Sequence, residues 1–139
     1  MNSFPVEGHR RFKGRILVAE DHPDNQALIK IMLQKKGLEV TIVEDGNKAV
    51  EAARKQAFQL ILMDMQMPNM NGYLATKILR KNGLTTPIIA LTAFALKGDA
   101  EKCLDAGCDD YLSKPVTRAK LLEVLSKYLP SDSVVPNVE

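Results

Sequence analysis

The sequence predicts an α/β fold, a doubly wound five-stranded parallel sheet with helices on both of its faces. Five β-rich runs alternate with five helical patterns along the chain, which is typical of parallel sheets with helical crossovers. The central runs, at 60–62 and 88–91, are also continuously apolar. Strands that are buried on both faces require such runs, so we expect a fully covered sheet.

The first β–α unit starts with the run RILVAE at 15–20, which predicts a short strand. Pro23 then suits the first turn of a helix, because the N–H that proline lacks would have no helical partner there. Apolar residues follow at helical spacing, and Gly37 predicts the end of this helix. The apolar residues are Ala27, Leu28, Ile31 and Met32.

The next two units repeat this order. The run LEVTIVE at 38–44 predicts a strand, and GNKAVEAARKQ at 46–56 predicts a helix. The run FQLILMD at 58–64 predicts the third strand, and we expect the third helix at 72–82 because its apolar residues have helical spacing. These apolar residues are Leu74, Ile78 and Leu79.

The last two units complete the alternation. The run TPIIALTA at 86–93 predicts the fourth strand, and a helix is expected at 97–106, where Gly107 ends it. The run DYLSKP at 110–115 predicts a short fifth strand. Leucines at helical spacing then predict the last helix at 117–129.

Length and composition fit one domain: 139 residues, of which 45% are hydrophobic and 26% charged. The net charge of +2 gives no indication of nucleic-acid binding. No run reaches the roughly 18 apolar residues of a membrane span, and no apolar signal-peptide core is present, so we expect a cytoplasmic location. We divide the chain into an irregular leader or linker at 1–13, a domain at 14–129 and a frayed tail at 130–139.

The two cysteines, Cys103 and Cys108, are expected to be reduced thiols. A zinc site needs about four ligands, and the two histidines, His9 and His22, are distant in sequence. Disulfides are rare in cytosolic proteins, which fits the expected location.

Polar and charged residues collect at the carboxyl ends of four predicted strands. These residues are Glu20 and Asp21 after the first strand, Asp64 after the third, Thr92 after the fourth and Lys114 after the fifth. Turn capping or snorkelling could explain any one of them, but not all of them on one rim. Because open parallel sheets carry their site at this edge, we predict a site here.

Three carboxylates on one rim predict a bound cation, because they repel one another unless a cation intervenes. With oxygen ligands only, the natural cation is Mg²⁺. A carboxylate beside Mg²⁺ can attack phosphorus as a nucleophile and form an acyl phosphate. Lys114 can neutralise another side of the transferring group, and the Thr92 hydroxyl can hydrogen-bond a phosphoryl oxygen.

These residues lie in four motifs that together resemble the receiver domain of bacterial-type two-component response regulators. The motifs are the acidic pair in LVAED, the central aspartate of LILMDMQMP, the threonine of ALTA and the lysine of YLSKP. The resemblance covers roughly 14–129 and implies a flavodoxin-like (βα)5 fold with strand order 2-1-3-4-5. It implies phosphorelay signalling, in which the domain accepts a phosphoryl group and then switches conformation or passes the group onward.

The resemblance also implies a role for each site residue. Asp64 would be the phosphoacceptor, and Lys114 would pair with the phosphoryl group. Glu20 and Asp21 would hold Mg²⁺ together with Asp64. The backbone carbonyl of Gln66 would complete the protein ligands of the metal.

Further positions would govern the response to phosphorylation and the lifetime of the phosphoryl group. Thr92 and Tyr111 would be the switch residues. Phe94, two residues beyond Thr92, lies near the approach of the hydrolytic water in the family, and Gln66 flanks the same opening. Because an apolar ring cannot orient a water, we expect Phe94 to slow hydrolysis; the alternative is that it packs against the fourth helix, away from that path.

Two longer stretches, EDHPDNQALIKIMLQKKG and DAGCDDYLSKPV, look most like receivers carried on hybrid sensor histidine kinases. The resemblance implies a phosphohistidine donor on a sensor kinase and a histidine phosphotransfer domain as a possible next acceptor. We expect no direct contact with nucleic acid or membrane, and no enzyme activity beyond phosphorylation of its own aspartate. The irregular leader favours a receiver cut from a longer kinase, which could itself be membrane-attached, over a natural stand-alone receiver.

Three alternatives have weaker support. A phosphatase or phosphomutase of the haloacid dehalogenase type also uses an aspartyl phosphate, but Gln66 stands where its second acid would be. In a flavodoxin-like FMN carrier, Glu20 and Asp21 would repel the phosphate. A degenerate receiver that only binds proteins would lack a site residue, and none is missing from the sequence.

Overall fold

A computed structural model of the chain describes residues 10–93 and 97–134. Within these ranges the chain forms seven strands and five helices. In chain order they are β1 (Arg10–Phe12), β2 (Arg15–Ala19), α1 (Pro23–Gln34), β3 (Glu39–Val43), α2 (Gly46–Lys55), β4 (Leu60–Asp64), α3 (Gly72–Lys81), β5 (Ile88–Thr92), α4 (Lys97–Ala106), β6 (Asp110–Ser113), α5 (Arg118–Tyr128) and β7 (Ser131–Val134).

Five parallel strands form the central sheet in the order β3-β2-β4-β5-β6. Numbered without β1, this is the predicted order 2-1-3-4-5, so the predicted fold is confirmed. The chain winds outward in both directions from the neighbouring strands β2 and β4. The loops after these two strands therefore border a crevice at the carboxyl edge of the sheet.

Two apolar layers cover the sheet, one on each face. The strands β4 and β5 are buried along their whole length, as their continuous apolar runs predict. Helices α1 and α5 contribute Leu33 and Leu125 to one layer, and the other contains Ala49 of α2, Leu79 of α3 and Cys103 of α4. Both cysteines are free thiols, as expected. In the part of the chain that the structure describes, no helix is long and apolar enough to cross a bilayer.

The prediction of an irregular leader and a frayed tail is wrong at β1 and β7, which pair as an antiparallel ribbon with Arg11 opposite Ser133. Phe12 explains this ribbon, because its side chain is only 2% exposed and packs in the α1 and α5 layer. Its amide also donates to the Lys36 carbonyl at 2.8 Å. One apolar residue in a polar run has no periodicity, so the sequence pattern could not show this contact. The division into leader, domain and tail stays a prediction.

Candidate functional site at the carboxyl edge of the sheet

Three carboxylates lie together where the neighbouring strands β2 and β4 end. Glu20 and Asp21 directly follow β2, and Asp64 is the last residue of β4. One oxygen of each carboxylate lies within 4.8 Å of the others. Glu20 and Asp64 are buried, whereas Asp21 is partly exposed. The group is therefore open to solvent on the side of Asp21.

Lys114 adds a cation from the connection between β6 and α5. Its Nζ lies 2.6 Å from Asp64 Oδ2 and 2.9 Å from Glu20 Oε1. Its backbone amide donates to the Thr92 carbonyl at 2.8 Å, which fixes Lys114 to the end of β5. We call Glu20, Asp21, Asp64 and Lys114 the rim cluster. It sets three carboxylates against one ammonium, so negative charge is in excess.

Burial and pairing shift the pKa values of this cluster in opposite directions. Burial raises the pKa of Asp64, and the hydrogen bonds from Lys114 and the Gln66 amide do not cancel that effect. Burial also raises the pKa of Glu20, but the His22 amide and Lys114 outweigh it and lower that pKa overall. Burial lowers the pKa of Lys114, but its two carboxylate partners raise it overall. The surroundings thus favour the charged form of Asp64 less than that of Glu20, and an added cation would stabilise it.

One oxygen of Glu20 shows that a cation would fit. Glu20 Oε2 accepts a hydrogen bond from the His22 amide at 2.9 Å. Glu20 Oε1 is buried, and its ion-pair partner is Lys114 Nζ at 2.9 Å, which it shares with Asp64. A carboxylate oxygen can accept more than one contact, so Glu20 Oε1 keeps the capacity to bind a hard cation. The donor set contains oxygen only and fits Mg²⁺.

The loop after β4 packs closely against the rim cluster. The Gln66 amide donates to Asp64 Oδ1 at 3.0 Å, and the Gly72 amide donates to the Met65 carbonyl at 3.1 Å. A Cβ atom at Gly72 would overlap the Asp64 carbonyl oxygen, so this position requires glycine. The start of α3 therefore lies directly behind Asp64.

A second anchor of this loop was missed in the sequence. Asp45 caps α2 by accepting from the Lys48 amide at 2.8 Å, and its other oxygen accepts from Asn69 Nδ2 at 3.0 Å. The Gly46 amide donates to the Met70 carbonyl at 2.9 Å, so the loop is tied to the start of α2. Asp45 stands before a helical pattern, which is an N-cap signal, but Asn69 lies 24 positions away along the chain.

The predicted switch residues lie on the adjacent strands β5 and β6. Thr92 is the last residue of β5 and is buried, with a 6% exposed side chain. Tyr111 lies on β6 opposite Ala90 and is 37% exposed. Phe94 lies outside the described residues. The roles assigned to these residues, and to the Gln66 carbonyl, stay predictions.

The family comparison agrees with this geometry. The sequence model described as response regulator receiver domain matches residues 16–126 of the chain. The chain therefore belongs to the response regulator receiver family, and it is a receiver domain of two-component phosphorelay signalling.

Curated relatives of the chain include much longer kinases. The chain is 41% identical over 119 residues to Sensor protein GacS of Pseudomonas syringae pv. syringae, covering 82% of this chain and 13% of that protein. It is 42% identical over 130 residues to Hybrid signal transduction histidine kinase I of Dictyostelium discoideum, covering 87% of this chain and 8% of that protein. The chain thus spans a small part of these relatives.

Two solved receiver structures share the fold. The receiver domain of sensor histidine kinase PA1611 from Pseudomonas aeruginosa PAO1, with a magnesium ion coordinated in its active-site cleft, is 48% identical with a TM-score of 0.78. The match covers 84% of this chain and 97% of that one. The chain is also similar to the receiver domain of Ssk1, which was solved in complex with the histidine phosphotransfer protein Ypd1 of Saccharomyces cerevisiae. That match shows 31% identity, a TM-score of 0.78 and coverage of 85% and 90%.

Proposed function

We propose that Asp64 accepts a phosphoryl group from a phosphohistidine donor. The observation that carries this proposal is the environment of Asp64, a buried carboxylate 2.6 Å from the Lys114 ammonium at the open end of the sheet. An Asp64 oxygen bonds to phosphorus as the bond from phosphorus to the donor nitrogen breaks, and the electron pair leaves with the imidazole. Lys114 neutralises charge on the transferred group, in keeping with the dependence of phosphoryl transfer on positioning and charge.

Mg²⁺ is the cofactor that we propose for this reaction. Glu20, Asp21 and Asp64 would hold it through side-chain oxygens, and Gln66 through its backbone carbonyl. Bound there, the ion would neutralise charge on the phosphoryl oxygens. The three clustered carboxylates of this chain and the magnesium ion in the PA1611 receiver domain support this assignment.

Phosphorylation would then drive a conformational switch. It adds about −1.5 to −2 charges and strong acceptor oxygens at Asp64. Thr92 moves to donate a hydrogen bond to them, and the Tyr111 ring enters the space that Thr92 leaves. This biases two arrangements of the surface formed by α4, β6 and α5. Thr92→Ala should keep phosphorylation and weaken the change at Tyr111, which NMR chemical shifts would report.

The lifetime of the acyl phosphate is a separate proposal. We propose, from the sequence position of Phe94 two residues beyond Thr92, that its apolar ring slows hydrolysis, so Phe94→Asn should hydrolyse faster than the parent protein. Phosphoryl decay of the two proteins at equal Mg²⁺ concentration measures the effect. Equal or slower decay in the variant would show that Phe94 does not shield the group.

The donor and the next acceptor are proposed from the relatives. The named kinase relatives support a sensor histidine kinase as donor, and the Ypd1–Ssk1 complex supports a histidine phosphotransfer protein as a second partner. We place the domain in the cytoplasm, without direct contact of its own to nucleic acid or membrane. As an isolated domain it is no enzyme, because its one phosphoryl-transfer substrate is its own Asp64.

Incubation with acetyl phosphate and Mg²⁺, followed by intact mass, tests the proposed acceptor. We expect one added phosphoryl group on the parent protein and none on Asp64→Asn. Removal of Mg²⁺ by a chelator should also stop labelling, because the carboxylates of the rim cluster would then repel the incoming anion. Equal labelling of Asp64→Asn would show that Asp64 is not the acceptor.

A further inference from the structure

A groove between helices α1 and α5 lies apart from the rim cluster and has no part in the function proposed above. Its volume is about 300 Å³, and none of its lining residues belongs to the rim cluster. The volume lies at the lower end of the usual range for small-ligand sites, about 300–1,000 Å³. The groove therefore has room for one small molecule.

The floor of this groove is apolar. It is formed by Met32 of α1 and by Leu121, Leu122 and Leu125 of α5, which are each 8% exposed or less. These side chains belong to the apolar layer that α1 and α5 build on one face of the sheet. Each methylene group that a ligand buries against such a floor tightens binding by up to about four-fold. An apolar chain is therefore one part of a ligand that fits.

The groove also carries positive charge. Lys35 and Lys36 line it from the end of α1 and Arg118 from the start of α5, and no aspartate or glutamate is among its lining residues. Lys35 and Arg118 are exposed, and neither forms an ion pair with a carboxylate in the described part of the chain. By contrast, Lys48 and Lys55 on α2 each pair with a glutamate. An anionic group is therefore the second part of a ligand that fits.

We propose that this groove binds an anionic amphiphile, a free medium-chain fatty acid. Its alkyl chain lies on the apolar floor, and its carboxylate accepts hydrogen bonds from Lys35 and Arg118. A single alkyl chain suits the volume of about 300 Å³. A peptide helix with its side chains is about 10–12 Å across and would lie outside the groove. The proposal does not depend on the role of Asp64.

Titration with decanoate, followed by NMR of isotope-labelled methyl groups, tests the site. We expect the methyl signals of Met32, Leu122 and Leu125 to shift in a saturable way below the concentration at which decanoate forms micelles. Butyrate has the same carboxylate but a shorter chain, so it should bind more than about ten-fold more weakly. Decyltrimethylammonium has the same chain but the opposite charge, and it should also bind more weakly than decanoate.

Substitutions at exposed positions separate the two parts of the site. Lys35→Gln and Arg118→Gln should each weaken decanoate binding about three-fold, and together about ten-fold, as expected of exposed charge contacts. Lys30→Gln is the matched control, because Lys30 is exposed on the same helix as Met32 and does not line the groove. Ala119→Phe adds a ring at an exposed position that lines the groove, and it should abolish binding.

Equal affinity for decanoate and decyltrimethylammonium would overturn the proposal, as would parental affinity in Ala119→Phe or in the double charge variant. Methyl shifts with phosphatidylglycerol vesicles but not with decanoate would assign the groove to a membrane surface and overturn it too. Self-association without decanoate binding would assign it to a second copy of the chain, with the same consequence. Failure of the proposed acceptor is distinguishable, because Asp64→Asn should bind decanoate as the parent protein does.

Discussion

Two charged clusters lie at opposite ends of β5, and they differ in how completely the chain itself pairs their charges and hydrogen-bonding groups. The arginine cluster, Arg80 with Asp109, lies near the amino end of this strand. Arg80 Nε donates to the Gly107 carbonyl at 2.9 Å, and Nη1 donates to the Leu84 and Thr86 carbonyls at 2.8 Å each. Arg80 Nη2 donates to Asp109 Oδ2 at 2.8 Å.

The rim cluster lies at the other end and is left incomplete. Its three carboxylates face one ammonium, which contacts only Glu20 and Asp64 among them. In the arginine cluster one cation faces one carboxylate, and backbone carbonyls take the other donors. A cluster that the chain completes by itself stabilises the fold. A cluster with excess negative charge that is open to solvent can bind a ligand that neutralises it, and here we propose a cation together with a phosphoryl group.

Arg80→Ala should produce the largest effect on stability. It removes four hydrogen bonds, three of them to backbone carbonyls, so we expect a loss of roughly 2–4 kcal/mol in unfolding free energy. Urea unfolding measures this loss, with the exposed Arg54→Ala as control. Labelling by acetyl phosphate should persist in the folded variant. A loss below that of Arg54→Ala, or a loss of labelling, would contradict the division between the two clusters.

Removal of the rim-cluster cation should strengthen metal binding. In Lys114→Gln, no ammonium competes for Glu20 and Asp64, so we expect Mg²⁺ to bind about five- to ten-fold more tightly. The rise of the unfolding midpoint with Mg²⁺ concentration gives the affinity. Lys81→Gln, at an exposed site on α3, controls for the loss of one charge. Arg80→Ala should leave the affinity unchanged, and weaker binding by Lys114→Gln would show that Lys114 helps to hold the ion.

Substitution of Asp45 should have the smallest effect on the unfolding free energy, because its partners are neutral amides. Asp45 also anchors the loop that follows β4. Removal of this N-cap in Asp45→Ala should cost about 1 kcal/mol of unfolding free energy. Asp45→Asn should cost less, because its amide oxygen can still accept from the Lys48 amide. Urea unfolding of both variants tests this order.

The pH dependence of stability gives Asp45 a second test. Hydrogen bonds from the Lys48 amide and Asn69 lower the pKa of Asp45 below its ordinary value of 3.8. A carboxylate with a lowered pKa contributes stability above the ordinary value, and that stability is lost as the pH falls through the folded-state pKa. The difference between the parent protein and Asp45→Asn should therefore shrink as the pH falls below the ordinary value of 3.8. A difference in stability that does not change with pH would show that the charge of Asp45 does not contribute to the stability of the fold.

Most of the fold could be predicted because its signals are local. Continuous apolar runs indicated β4 and β5, and proline, glycine and helical spacing indicated the helices. Residues at the strand ends could be grouped for the same reason, since parallel strands bring their carboxyl ends to one edge. Phe12 and the contact of Asp45 with Asn69 could not be found in this way, because each depends on a partner that is distant in sequence.

By itself, the sequence determined the order of the elements and the set of side chains at the rim, because strand and helix periods and strand ends are properties of neighbouring residues. The tertiary structure decided which charges the chain itself satisfies. Arg80 reaches its carbonyls and Asp109 only when the loops before β5 and β6 are packed against α3. Glu20 Oε1 depends on a shared ammonium only because burial removes water from it while Lys114 divides its contacts between two carboxylates. Desolvation depends on the whole fold, and no short stretch of sequence encodes it.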